Sequence, residues 1–531
     1  MRSSHNLAGR QRMLNSTIYF SRRYGFLLLV LYLISPLLLA GCARQTIPMT
    51  GISMPLPDVT RVSRLLPFTS ETDLSSMRWS RAFEAFHARL ALEYPFTDWK
   101  QIDWDSLYAT YAPQIAEAEA AKDHEAYYTA LRQYLYHIPD GQVQIGAMPE
   151  YRESAIGGSF GFSVMGIDDG RIIVHVLDED GPAAHAGILW GSEVLEWNGM
   201  PVREALAQTD ITWSTYPPAT REGRSLMQQR LLTRAPVGEA ATITFRNPEA
   251  EVPSTVSLYA LADSYEMLDR TKLNRQYMSE FESPITTRTL PSGYGYIQVR
   301  FIAPTMTMPF PVRAFRSAVN GFVRDDAPGI IIDVRGNVGG TFAFVPSYAG
   351  HFYEGHRFYE DVAYYQADSG SFEVDPESRL RIEPRDPYYD GQVVVLINDA
   401  TIGSGEGLPL ALQELPNARI MGFSGTHGSF GAGSRNINLP GDISVWYPLG
   451  RSLDEDGNIQ VDANAAGQGG IQPDIRLPLN AGSLRMIYQE DIDFELQSAE
   501  YWLDNVPGAT RDAETETGTD QETTASEEAV E

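Results

Sequence analysis

From about Leu65 to Ile138 apolar residues recur every three or four positions. In MRWSRAFEAFHARLALEY this spacing puts Trp79, Phe83, Phe86, Leu90 and Tyr94 on one helical face. Asp103 or Asp105 stands where the next helix needs a cap, and AEAEAAKDHEAYYTALRQYLYHI keeps the helical period. Residues 63–150 are therefore expected to form a helical N-terminal domain. After residue 151 the period changes. FGFSV, RIIVHVL, EVLEWNG and ATITF are short strand-like runs divided by Gly, Asp and Pro, which predicts a β-rich module over 151–262. Over 263–500, the strand-like runs GYIQVRF, GIIIDVRGN, GQVVVLIND and ARIMGF alternate with helix-like stretches, the pattern of an α/β core. Val393 to Ile397 is apolar without interruption, as a strand buried on both faces must be. The expected fold class is multidomain α/β.

The two ends break this pattern. Arg2, Arg10, Arg12, Arg22 and Arg23 precede an apolar run from Gly25 to Ala40, which is short for a membrane span and contains Pro36. It reads as the core of a signal peptide over residues 1–41. Residues 42–62 are rich in Pro, Thr and Ser without periodicity, and read as a tether. The acidic, Thr-rich tail at 501–531 holds too little apolar surface to order itself.

Composition narrows the chemistry. Among 531 residues, 69 acids face 41 Lys and Arg, and a net charge of -28 disfavours a nucleic-acid partner. The single cysteine, Cys42, excludes a disulfide framework and any multi-cysteine metal site. With no metal or nucleotide motif present, no cofactor is expected. Lysine is scarce: only Lys100, Lys122 and Lys272 occur, and none follows Lys272.

Leu39-Ala40-Gly41-Cys42 resembles the bacterial lipobox. The resemblance implies lipidation of Cys42 and a membrane-tethered protein of the cell envelope. Ala43 in place of Asp then implies the periplasmic face of the outer membrane.

GGSFGFSV at 157–164 and GPAAHAGILWGSEVLEWNGMPV at 181–202 resemble a PDZ domain of the kind found in bacterial proteases. In that fold a glycine-rich loop gathers backbone N–H groups around a peptide's terminal carboxylate, and the peptide adds to an open sheet edge. Gly157, Gly158, Phe160, Gly161 and Phe162 occupy the matching loop. The plainer alternative is a structural turn in a spacer module.

Three segments of the core carry a further resemblance. These are IIIDVRGNVGG at 330–340, NDATIGSGEGLPLAL at 398–412, and MGFSGTHGSFGAG at 421–433 with GGIQPDIRLPL at 469–479. Together they resemble the tail-specific, C-terminal processing serine protease family, over roughly residues 75–480. The family implies a helical front, a PDZ module and a crotonase-like α/β core that cleaves polypeptides. A serine at a strand-to-helix turn would attack, while backbone N–H groups of Gly339, Gly340 and Gly405 hold the oxyanion. Asp333 and Arg335 read as a structural pair holding their turn.

The family pattern is broken where its chemistry lives. Its nucleophile stands three residues before the acid that is Glu406 here, and position 403 is Gly. Its lysine follows a Thr-x-Gly that here is Thr426-His427-Gly428, and the next residue is Ser429. The branch that uses His places it where this chain has Gln142, which cannot take a proton at pH 7. A shifted pair, Ser404 with His427 as base, is the one replacement the residues allow. Three readings follow: a lipid-anchored endopeptidase acting on extracytoplasmic polypeptides through that pair, an inactive relative that binds peptides or envelope partners, and a small-ligand binder.

Overall fold

The computed structural model describes residues 69–271 and 282–505. The signal peptide, Cys42, the tether and most of the acidic tail lie outside the described residues. Strand β1 (Thr69–Asp73) leads into α1 (Trp79–Glu93), which buries Phe83, Phe86 and Leu90 as the spacing predicts. Then come α2 (Thr97–Lys100), α3 (Trp104–Ala121) and α4 (His124–Tyr136). Asp103 caps α3 by accepting the Ser106 N–H, and Asp123 caps α4 by accepting that of Ala126. Such caps satisfy helix-end donors that would otherwise stay unpaired. A two-residue strand, β2 (Gln144–Ile145), closes this stretch.

The middle of the chain builds an antiparallel sheet from β3 (Phe162–Gly166), β4 (Ile172–Leu177) and β5 (Glu193–Trp197). After α5 (Arg221–Leu232), β6 (Ala240–Arg246) and β7 (Ser254–Tyr259) complete it in the order β7-β6-β5-β4-β3. Phe160, Phe162, Val164, Trp197, Ile243 and Phe245 give this sheet a core of its own.

Elements from the rest of the chain form a second six-stranded sheet and its cover. They are β8 (Ile285–Thr289), β9 (Gly295–Val299), α6 (Pro311–Arg324), β10 (Gly329–Asp333), β11 (Gln392–Leu396), α7 (Ser404–Leu412) and β12 (Ala418–Gly422). There follow a hairpin, β13 (Ser434–Leu439) and β14 (Ile443–Tyr447), then β15 (Ile475–Arg476) and α8 (Phe494–Asn505). The sheet order is β8-β9-β10-β11-β12-β15, parallel except for the β8–β9 pair. Ile330 and Ile332 sit opposite Val393 and Val395. These four pack with Phe315 and Val319 of α6 and Leu408 and Leu412 of α7. Ile331, Val394 and Leu396 face the other way, onto Ala499 and Leu503 of α8. Helices on both faces explain the uninterrupted apolar strands, each such side chain contributing roughly 1.5–3 kcal/mol of burial.

The β13–β14 hairpin leaves this sheet and pairs with the front of the chain, in the order β1-β13-β14-β2. Ile437, Val445 and Tyr447 then join Phe83, Phe86 and Tyr134 in one core. Segments some three hundred residues apart are thereby held together. The carboxyl ends of β10 and β11, where open α/β sheets place their ligands, lie under the loops that this arrangement brings in.

Candidate active site

Two turns meet at the carboxyl ends of β10 and β11. Asn337 joins them: its side chain donates to Val299 O at 2.8 Å and accepts the Gly339 N–H at 2.9 Å, while its carbonyl accepts the Ile402 N–H at 2.9 Å. Gly405 has no side chain because a Cβ there would stand 2.7 Å from Asn337 Oδ1. Gly340, at φ +137°, lies so close to Ile302 that a Cβ would overlap its carbonyl. Asp333 and Arg335 pair at 2.7 Å, and Arg335 is further held by Asp493 and Glu495 at 2.8 and 2.7 Å, so this pair is part of the scaffold.

The strand-to-helix turn bends at Gly403, whose φ of 59° and ψ of -132° suit glycine. Its N–H donates to Ser429 O at 3.0 Å and to Glu406 Oε2 at 3.1 Å. Glu406 is fully buried and also accepts from Thr426 Oγ1 at 2.5 Å, Gly428 N at 2.8 Å and Ser429 N at 3.1 Å. It ties the 426–429 loop to the start of α7. Burial pushes its carboxyl up to about 8, against these hydrogen bonds.

Ser404 is the first residue of α7, 1% exposed, and its hydroxyl has no hydrogen-bond partner. His427 turns elsewhere. Its Nδ1 meets Ser429 Oγ at 3.0 Å, and that hydroxyl accepts the Gly141 N–H at 2.9 Å. Burial pushes the imidazole down to about 4, so it is neutral at pH 7 and a weak base. The expected Ser404–His427 pair is therefore not formed. The reason is register: Ser404 begins the helix, whereas the residue facing the opposite loop is Gly403. A Cβ on Gly403 would stand 3.5 Å from Gln142 Nε2. Gln142 in turn is fixed by donating to Gly431 O at 2.9 Å and accepting the Gly431 N–H at 2.6 Å.

The expected oxyanion donors need a similar correction. The Gly339 N–H is taken by Asn337 and that of Gly405 by Ile402 O at 3.1 Å. Among the described residues no acceptor takes the N–H of Gly340 or of Ser404. Both residues line a small cavity of about 70 Å³ together with Gln142, Val338, Tyr216 and Gly403.

Residues 293–477 match the family model of peptidase family S41. The chain carries an S41 domain. That family comprises serine peptidases of the tail-specific, C-terminal processing kind. No curated relative matches the sequence. Among solved structures, mature CPAF shares 15% identity at a TM-score of 0.54, covering 81% of this chain and 98% of that one. CPAF complexed with lactacystin gives 15% identity and a TM-score of 0.54 over 80% and 98%. The D1 C-terminal processing protease of photosystem II is more distant, with 16% identity and a TM-score of 0.36 over 76% and 94%. The two CPAF likenesses bear on the fold.

Besides Gly141 and Gln142, two ion pairs from outside the S41 domain tie into the loops around its site. Lys100 of α2, side chain fully buried, pairs with Asp462 at 2.6 Å and donates to Ala463 O at 2.8 Å. Arg230 of α5 pairs with Asp399, on the loop before Gly403, at 2.9 Å. The chain's lysine count flags Lys100 as unusual, but nothing near it in sequence names Asp462. The glycine-rich loop of the middle module is engaged with its own surroundings. Gly157 ends a helix, and Gly158 pairs on both sides, with Ala235 and Ala262. Phe160 and Phe162 are buried, and the Gly161 N–H donates to Ser159 Oγ at 3.1 Å. On the β3 edge, the Gly166 N–H is taken by Gln229 of α5 at 2.7 Å. A peptide strand added there would displace that side chain.

Proposed function

We propose that this chain binds polypeptides through its S41 domain and does not hydrolyse them by the family's serine chemistry. A polypeptide is the ligand class that the S41 domain implies. One observation carries the loss of hydrolysis. The positions that face each other across the cavity hold Gly403 and Gln142, which offer neither a nucleophile nor a proton acceptor. Ser404 has an unpartnered hydroxyl, and the nearby imidazole is bonded to Ser429. The envelope location, the lipid anchor at Cys42 and a PDZ-type role for residues 151–262 belong to the same reading and rest on the sequence motifs.

The test is incubation of the full chain with an unfolded protein substrate, alongside Ser404→Ala. No cleavage by either, with saturable binding of the substrate, supports the proposal. Cleavage that Ser404→Ala abolishes would restore the endopeptidase reading with Ser404 as nucleophile.

A further inference from the structure

The cavity at the start of α7 is rich in hydrogen-bond donors. Most of its free polar groups donate: the N–H of Gly340, the N–H of Ser404, the Ser404 hydroxyl and the second proton on Gln142 Nε2. The first Nε2 proton goes to Gly431 O. Gln144, which also lines it, gives its Nε2 to Gly141 O and keeps an amide oxygen as acceptor. The carboxyl nearest in sequence, Glu406, is turned onto four donors of its own. The free Ser404 N–H, at the start of a nine-residue helix, favours negative charge. The Ser404 hydroxyl, buried and unpartnered, gives the site an unmet hydrogen-bonding need. Its oxygen lies 3.8 Å from where a Gly339 side chain would begin.

Space matches this chemistry. About 70 Å³ is several times the roughly 10–15 Å³ that one water needs, and accommodates a group with two oxygens. The room exists because Gly403 has no side chain, since a hydroxymethyl group there would project toward Gln142. A carbonyl has one oxygen to offer four donors. A carboxylate has two oxygens and about four lone-pair sites.

We propose that this cavity is a receptor for the terminal carboxylate of a polypeptide: the glycine at 403 makes room for the second oxygen while the donors hold both. The inference rests on the non-hydrolytic reading above and assigns its ligand. The chain end enters the cavity, and the preceding residues lie outward past Val338 and Tyr216, which line it.

The test uses the full chain and a pool of synthetic nonapeptides, randomised internally with Asp and Glu included, prepared as free acids and as C-terminal amides. The free-acid pool is expected to bind at least about tenfold more tightly, the scale of charge-assisted hydrogen bonds lost with the carboxylate. Gly403→Val, which fills the cavity, and Gln142→Glu, which sets a charge against the ligand with little change of shape, should each erase that preference. Retention of their thermal transitions shows that they fold. Equal binding of acid and amide pools would overturn the carboxylate assignment and leave polypeptide binding standing. An acid preference that survives both substitutions would place capture elsewhere, in the 157–162 loop for example, and also overturn it. Competition by acetate as effective as by the peptide acids would make this a small-acid site rather than a chain-end receptor. Binding of neither pool would reject the polypeptide reading itself.

Discussion

A side chain on Gly403 would begin 3.5 Å from the side-chain nitrogen of Gln142. The two residues thus confront each other as a nucleophile and its base would, with neither function present. Restoring both should restore chemistry. Gly403→Ser with Gln142→His is expected to cleave an unfolded protein at least about a hundredfold faster than either single variant, the scale on which a positioned base acts. Serine at φ 59° and ψ -132° carries a strain of roughly 1–3 kcal/mol, so the double variant should also melt earlier. Equal rates in the double and single variants would show that the two positions do not work together.

Glu406 carries a structural load that its place in the helix does not reveal. Its carboxyl group collects donors from Thr426, Gly428, Ser429 and Gly403 with no exposure to water. Glu406→Gln places an amide NH2 against these donors, leaving at least one unsatisfied. A loss of about 2–3 kcal/mol in urea unfolding is expected. Hydrogen exchange should quicken at residues 426–429 before it does in β10 or β11.

The strands were legible because burial on both faces leaves an apolar run, and Val393 to Ile397 is such a run in β11. The helical front was legible because Phe83, Phe86 and Leu90 repeat with the helix. Its union with β13 and β14 was not, since strand pairing across three hundred residues leaves no local trace. At the site, the sequence located both turns and the missing nucleophile at 403. It did not show that His427 turns toward Ser429, because side-chain direction within a loop depends on neighbours such as Gly141 that arrive from another part of the chain. For the same reason Asn337 appeared only as a motif letter, although it bonds three segments.

The Arg230–Asp399 pair joins the middle module to the loop ahead of Gly403 with side chains only 10% and 7% exposed. Removing one partner of a buried pair strands the other charge. Arg230→Met is expected to cost about 3–5 kcal/mol, whereas Arg230→Met combined with Asp399→Leu should recover most of it. A double-mutant cycle by urea denaturation measures the coupling. An additive cycle would mean that the two side chains act independently.

Proton uptake by His427 gives an acid-side prediction. Burial holds the folded ring at about 4, against an ordinary 6.5, so between these values the unfolded chain binds more protons than the folded one. The ring's contribution is therefore intact above pH 6.5 and is lost as pH falls toward 4. Buried carboxyls run the opposite way. Glu406 and Glu495, pushed by burial up to about 8 and about 7, contribute below their unfolded values and lose that contribution as pH rises through the folded ones. Comparing the native chain with His427→Gln cancels these carboxyl effects and isolates the ring. Between pH 7.5 and pH 5 the native chain should lose about 2 kcal/mol of unfolding free energy relative to the variant. A difference that stays constant across this range would mean that the imidazole titrates near its ordinary value, and with it that a proton acceptor is available beside Ser429.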